Sequence, residues 1–182
     1  MTDVLVVGGG PAGLSAALFT AKNGLDTTVY DTDETWMHKA HLFNYLGIDS
    51  MDGTEFMETS REQVAEFGVD IHEAEVTGVE EDDGFTVTTG DGEVTTQYLV
   101  LATGADRSLA EELGCAFDGD LVDVNLSMET SVEDAYATGA MVRDQEWQAI
   151  ISAGDGGAAA LDILSKEEGE HFHDFDTPAD AE

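Results

Sequence analysis

Positive charge is scarce in this chain. Six lysines and arginines stand against 40 aspartates and glutamates, a formal net charge of −34. That balance excludes nucleic acid as a partner, because binding a phosphate backbone needs Lys and Arg. It disfavours an anionic membrane surface for the same reason. Cysteine is almost absent too: Cys115 stands alone, so an internal disulfide is excluded. No stretch is apolar for long enough to cross a bilayer. No basic segment followed by an apolar run opens the chain, and Val4 to Val7 is too short for a signal peptide. Together these absences predict a cytoplasmic protein.

The acidic residues run from Asp3 to Glu182 rather than gathering in one patch. They suit either a basic partner or a salty cytoplasm, and the even spread favours the second. At molar salt the Debye length is only about 3 Å, and such a surface stops repelling itself. The 182 residues suffice for one domain with a real core, or one domain and a tail.

What the chain does have is a glycine pattern in a telling place. Val4 to Gly13 reads V-L-V-V-G-G-G-P-A-G. Four apolar residues predict a buried strand, and Leu14 to Leu18 continue as a helix. Gly8, Gly10 and Gly13 form G-x-G-x-x-G between the two. The first glycine allows the sharp turn, the second lets backbone approach a pyrophosphate, and the third lets helix and strand pack closely. Pro11 fits the helix start, and the Ala12 and Gly13 amides lie in the first turn, where N–H groups and the positive dipole end face a phosphate. A second strand, Thr27 to Tyr30, ends at Asp31. An acid about 20 residues on is what a ribose hydroxyl needs.

The spacing predicts a first helix over Pro11 to Asn23, stopped by Gly24. Thr32 to Asp52 is a long connection, which in compact domains is often functional. It carries Trp36, His38, His41 and Asn44. Metal binding at the two histidines would need more ligands. A helix is predicted over Gly53 to Phe67, with Phe56, Met57, Ser60, Val64 and Phe67 on one face and Glu58, Arg61 and Glu62 on the wet side. Three short strands follow, Ala74 to Glu80, Phe85 to Thr89 and Glu93 to Gln97, with a hairpin at Gly90-Asp91-Gly92. Tyr98 to Ala102 is continuously apolar and predicts a separate, buried strand of a parallel sheet. A short helix over Arg107 to Leu113, a strand over Leu121 to Val124 and a last helix over Ala149 to Leu164 complete the pattern. Glu167 to Glu182 reads as a frayed acidic tail. The fold class predicted is α/β: a Rossmann-like three-layer dinucleotide-binding domain with a parallel central sheet and an inserted antiparallel meander. One domain is expected over residues 1–166, its halves 1–105 and 121–166 joined by 106–120, with 167–182 as the tail.

Six stretches carry a family likeness: G-G-G-P-A-G-L-S-A-A-L (8–18), N-Y-L-G (44–47), the T-G-V-E…F-T-V-T-T meander, L-V-L-A-T-G-A (99–105), T-S-V-E-D-A-Y-A-T-G (130–139) and Q-A-I-I-S-A-G-D-G-G-A-A-A-L (148–161). In this order the chain resembles the FAD-binding domain of the thioredoxin reductases, within the two-dinucleotide-domain flavoproteins. The resemblance implies FAD as cofactor. It adds to the glycine turn and Asp31 a set of cofactor-side positions: Asn44, Val76, Ala102, Thr103, Gly104, Gly139, Gln148 and Ala149. It also implies what is missing. In the family an NADPH domain with a Cys-x-x-Cys sits between the A-T-G-A and T-S-V segments, where this chain has only Asp106 to Glu129. The family also has Gly-Asp where this chain has Gly139-Ala140, which implies either looser FAD binding or partial substitution by Asp144 for that ligand of the ribityl chain.

No residue stands out as a catalytic acid or nucleophile. Cys115 reads as a small buried hydrophobe. The leading reading is an oxidoreductase that passes electrons through FAD. Its donor would be a free nicotinamide nucleotide or a redox partner protein. A non-enzymatic nucleotide-binding module and the FAD subunit of a split enzyme are the alternatives. The resemblance also makes a homodimer plausible.

Overall fold

The computed structural model describes residues 2–177. Its frame follows from the apolar runs. β1 (Thr2–Val7) leads through the glycine turn into α1 (Pro11–Lys22), then into β2 (Thr27–Asp31). A 3-10 turn (Trp36–Lys39) and a small hairpin, β3 (His41–Leu42) with β4 (Met51–Asp52), fill the long connection. α2 (Gly53–Glu66) returns the chain to β5 (Asp70–Glu73). β6 (Val76–Asp82), β7 (Gly84–Thr89) and β8 (Gly92–Leu101) form the meander. α3 (Ser108–Glu112), the hairpin β9 (Phe117–Asp118) and β10 (Leu121–Val122), β11 (Ala135–Ala137), a second 3-10 turn (Gly139–Val142) and α4 (Ala149–Glu168) follow.

β5, β2, β1, β8 and β11 lie side by side in that order, all parallel. The meander adds β7 and β6 antiparallel to the first half of β8. The two strands expected at Glu93–Gln97 and Tyr98–Ala102 are therefore one. Gly92 to Thr96 pairs with β7, and Thr96 to Leu101 pairs with β1. The polar–apolar alternation changes to a continuous apolar run where the strand passes from a half-covered to a fully covered sheet. The hairpin β3–β4 escaped the sequence reading, as did β5 and β9. All are short, and β5 is an edge strand whose residues are largely exposed.

Period-two alternation divides the core between the two sheet faces. Val4, Val6, Tyr98, Val100 and Tyr136 pack under α1, α2 and α4 with Leu14, Met57, Val64 and Ile163. Leu5, Val7, Leu99 and Leu101 pack on the other side against Val79, Phe85, Val87, Leu109 and Leu113. Cys115 belongs to this second cluster, and burial pushes its thiol up. The result is three layers: helices, sheet, and meander with α3.

α1 and α4 touch through their backbones. A Cβ on Gly156 would lie 2.0 Å from the Ala12 carbonyl oxygen. This is the reason for the glycine–alanine run in α4. Asp155, 5% exposed, takes Arg143 through Nε at 3.2 Å and a terminal nitrogen at 2.5 Å. The pair fixes the segment that leads into α4.

The tail differs from expectation. α4 runs on to Glu168 and stops at Gly169, with φ 68°. The chain then folds back: the Phe172 N–H donates to Ser165 Oγ at 3.1 Å, and Lys22 binds Asp174 at 2.6 Å and also Asp176. One cation, Lys22, thus holds two acidic residues of this stretch. The tail expected over 178–182 lies outside the described residues.

Candidate functional site

The carboxyl ends of β1, β2, β8 and β11 open onto one cleft of about 1260 Å³. That exceeds the roughly 300–1,000 Å³ typical of a drug-sized ligand and suits something longer. It lies where ligands bind in open parallel sheets, outside the strand ends.

The glycine turn divides into two functions. Gly8 has φ 102°, and a Cβ there would sit 2.3 Å from the Ala102 oxygen. A Cβ on Gly13 would meet the Gly8 oxygen at 1.9 Å. These two glycines are demanded by the fold. Gly10 is not: it has φ −77°, and its Cβ would meet only Thr35 Oγ1, at 3.7 Å. It faces the cleft, as do Gly8, Pro11 and Ala12. Gly13 is not among the residues lining the cleft; it packs behind the turn, in the close helix–strand contact expected of the third motif glycine.

The helix starts agree. The N-cap residues of α1 and α4 are Gly10 and Gln148, and neither supplies a side-chain cap. By contrast, Asp52 caps α2 and Thr35 caps the first 3-10 turn. The starts of these two long helices border the cleft, so their first N–H groups and positive dipole ends face a ligand there.

Asp31, Asn44, Val76, Ala102, Thr103, Gly104, Gly139, Gln148 and Ala149 all line the same cleft. Residues more than a hundred positions apart meet there: Asn44 Nδ2 donates to Gln148 Oε1 at 2.7 Å. Trp36 and Trp147 pack edge to face, centroids 5.6 Å apart, at the rim. Ala140 also lines it, and Asp144 does not. Asp106 lines it too; the Ser108 N–H at 2.9 Å holds its carboxyl below the usual range.

Sequence reasoning missed several members. Gly9 is one: a Cβ there would lie 2.5 Å from Asp31 Oδ2, so the middle glycine of G-G-G makes room for that carboxylate. Thr35, Thr138 and Lys39 are others. Among the described residues lining the cleft, Lys39 is the sole lysine or arginine, against Asp31, Glu34, Glu75, Asp106 and Glu112. Arg61 was placed on the wet face of α2. It is half-buried instead, bound to Asp31 and, at 2.9 Å, to Asp33.

A parallel sheet, a glycine turn and an acid at the end of β2 define a dinucleotide-binding α/β protein. The family model of the pyridine nucleotide-disulphide oxidoreductases matches residues 2–55 and 45–157, and the chain belongs to that family, as a thioredoxin reductase-like FAD-binding domain. These proteins are FAD-binding flavoproteins. Thioredoxin reductase of Treponema pallidum is 37% identical over 58% of this chain and 36% of its own length. That of Listeria monocytogenes is 29% identical over 86% of this chain and 47% of its own. The chain thus spans less than half the length of these curated relatives. Among solved structures, a thioredoxin reductase from Gloeobacter violaceus superposes with a TM-score of 0.87 at 21% identity, over 97% of this chain and 99% of that one. The likeness shows a shared fold.

Proposed function

We propose that the chain is a flavoprotein that passes electrons through FAD, with a separate nicotinamide nucleotide or partner protein as donor. One observation carries the reading. Two long helices start uncapped at one cleft, beside a glycine whose missing side chain the fold itself does not require. Donors and space are left for something outside the protein.

In this reading the residues divide by chemistry. The backbone at Gly8 to Gly13 takes the diphosphate, Asp31 accepts from the adenosine ribose, and Val76 meets the adenine through its backbone. Ala102, Thr103, Gly104 and Gly139 supply the floor. The Asn44–Gln148 pair and the start of α4 sit at the flavin end, where the positive dipole end favours negative charge on the ring. FAD, when bound, supplies the electron-accepting ring; the chain binds it, orients it and sets the field around it. The single cysteine rules out a dithiol pair within these residues, and it is buried. The thiol chemistry of longer relatives therefore has no counterpart here. Ala140 favours a second reading, a non-enzymatic FAD module, because it offers no acceptor to the ribityl chain.

Purification at molar salt, followed by release and identification of the bound ligand, tests the binding. Anaerobic addition of NADH or NADPH tests the chemistry. FAD with prompt loss of its visible absorbance is the expected result. A colourless protein that takes up NAD instead overturns the FAD reading. Colour that neither nucleotide changes overturns direct reduction and leaves the module or a partner-dependent subunit.

A further inference from the structure

The acid at the end of β2 does not stand alone. Asp31 is 9% exposed and lines the cleft. Its Oδ2 is bound by Arg61, from the middle of α2, and lies against Gly9 on its other side. Its Oδ1 has no hydrogen-bond partner among the described residues. The carboxylate is thus clamped by one oxygen and open at the other.

Arg61 does more than dock α2. The same terminal nitrogen reaches Asp33 Oδ1 at 2.9 Å, while its buried Nε has no partner. The two acids, rather than its own hydrogen-bonding capacity, set its position. Asp33 sits in the left-handed region, with φ 58°. It also meets His38 Nε2 at 3.0 Å, and His38 Nδ1 meets Thr54 Oγ1 at 3.1 Å at the start of α2. This chain of contacts straps down the reversal after β2, which contributes Thr32, Glu34 and Thr35 to the cleft. Arg61 itself does not line the cleft.

We propose that Arg61 is a positioning residue for the adenosine end of the site: by fixing Oδ2 of Asp31 it presents Oδ1 to the ribose hydroxyls. The proposal rests on the reading that the cleft takes an adenine dinucleotide. It deepens that reading by naming what makes Asp31 a competent acceptor. Without Arg61, Asp31, Asp33 and Glu34 are neighbouring like charges with no cation between them, and the carboxylate turns toward water. Lysine is an incomplete substitute, since its ammonium ends one bond short of the guanidinium nitrogen that reaches both carboxylates.

The test uses ADP and 2′,3′-dideoxy-ADP, titrated at molar salt into the wild type, Arg61→Gln and Arg61→Lys, with FAD titrated into the wild type. ADP reports the adenosine end without any flavin. The wild type should prefer ADP by about tenfold to a hundredfold, the range of a hydrogen bond to a charged group. In Arg61→Gln that preference disappears, and in Arg61→Lys it falls between the two. A merely structural arginine would weaken both nucleotides alike and leave their ratio intact; that result overturns the proposal. So does a wild type indifferent to the ribose hydroxyls. Should Arg61→Gln not fold, an unchanged preference in Arg61→Lys overturns it as well. A wild type that binds ADP with the expected preference but not FAD ends the flavin reading and supports Arg61; one that binds neither ends both.

Discussion

At Gly10 an added methyl group enters open cleft, and at Gly13 it strikes the Gly8 carbonyl. The two glycines of one motif therefore fail differently when replaced. Gly10→Val should leave the ligand-free protein melting within about 2–4 °C of the wild type, the shift that 1 kcal/mol causes in a chain of this size. It should abolish FAD retention by placing a side chain where the diphosphate approaches. Gly13→Ala should lower the melting temperature of the ligand-free protein itself, by the overpacking cost of about 1–3 kcal/mol. Thermal melts with and without added FAD separate the two. A Gly10→Val variant that keeps its flavin removes the binding role from the turn. Lys39 and Ala140 belong to the same scale: one is the cation of the cleft, the other leaves a bare methyl group on its wall.

Elements are tied together by the few cations available. Lys166 joins α4 to Glu129 and Asp134, Lys22 joins α1 to Asp174 and Asp176, and Arg143 joins the approach to α4 with its buried Asp155. Arg107 closes the join between β8 and the second 3-10 turn. Its guanidinium donates to the carbonyl oxygens of Ala105 at 2.9 Å, Ala140 at 3.1 Å and Met141 at 3.0 Å. Arg107→Met should cost about 1–3 kcal/mol of stability. It should also speed hydrogen exchange at the amides of 139–142, and it should weaken FAD binding because Gly139 and Ala140 line the cleft. Exchange rates unchanged by the substitution would show that the turn holds its shape without this clamp. None of these pairings is visible as a sequence pattern, because each joins residues whose separation carries no periodicity.

Across the whole molecule, the charge of −34 sets the conditions under which everything else operates. The cleft is acidic apart from Lys39, and a dinucleotide brings further negative charge to it. Repulsion between like charges opposes both folding and binding in dilute buffer, and salt removes it. FAD affinity and melting temperature should therefore both rise as ionic strength goes from about 0.1 M, where the Debye length is about 10 Å, to about 1 M, where it is about 3 Å. That sign is opposite to the usual weakening of anion binding by salt. Titrations in KCl at matched osmolarity with sucrose isolate the screening effect, and an affinity that falls with salt would show that attraction, not repulsion, governs the site.

The strand, the glycine turn, the first two helices and the meander were legible from the chain because each obeys a local rule. Period two or three-to-four fixes which side is buried, and glycine is the residue that steric crowding at a turn selects. Gly13 was legible as a packing residue on those grounds, though not as one hidden from the cleft. The tertiary structure alone decided that the two strands expected after Gly92 are one strand, that α4 and the chain beyond it fold back onto α1, and that two uncapped helix ends 138 positions apart, at Gly10 and Gln148, share a single opening. It alone brought Arg61 to Asp31. Such meetings depend on how layers stack, and a charged residue on a helix face looks the same in sequence whether it meets water or a carboxylate from a strand thirty residues earlier.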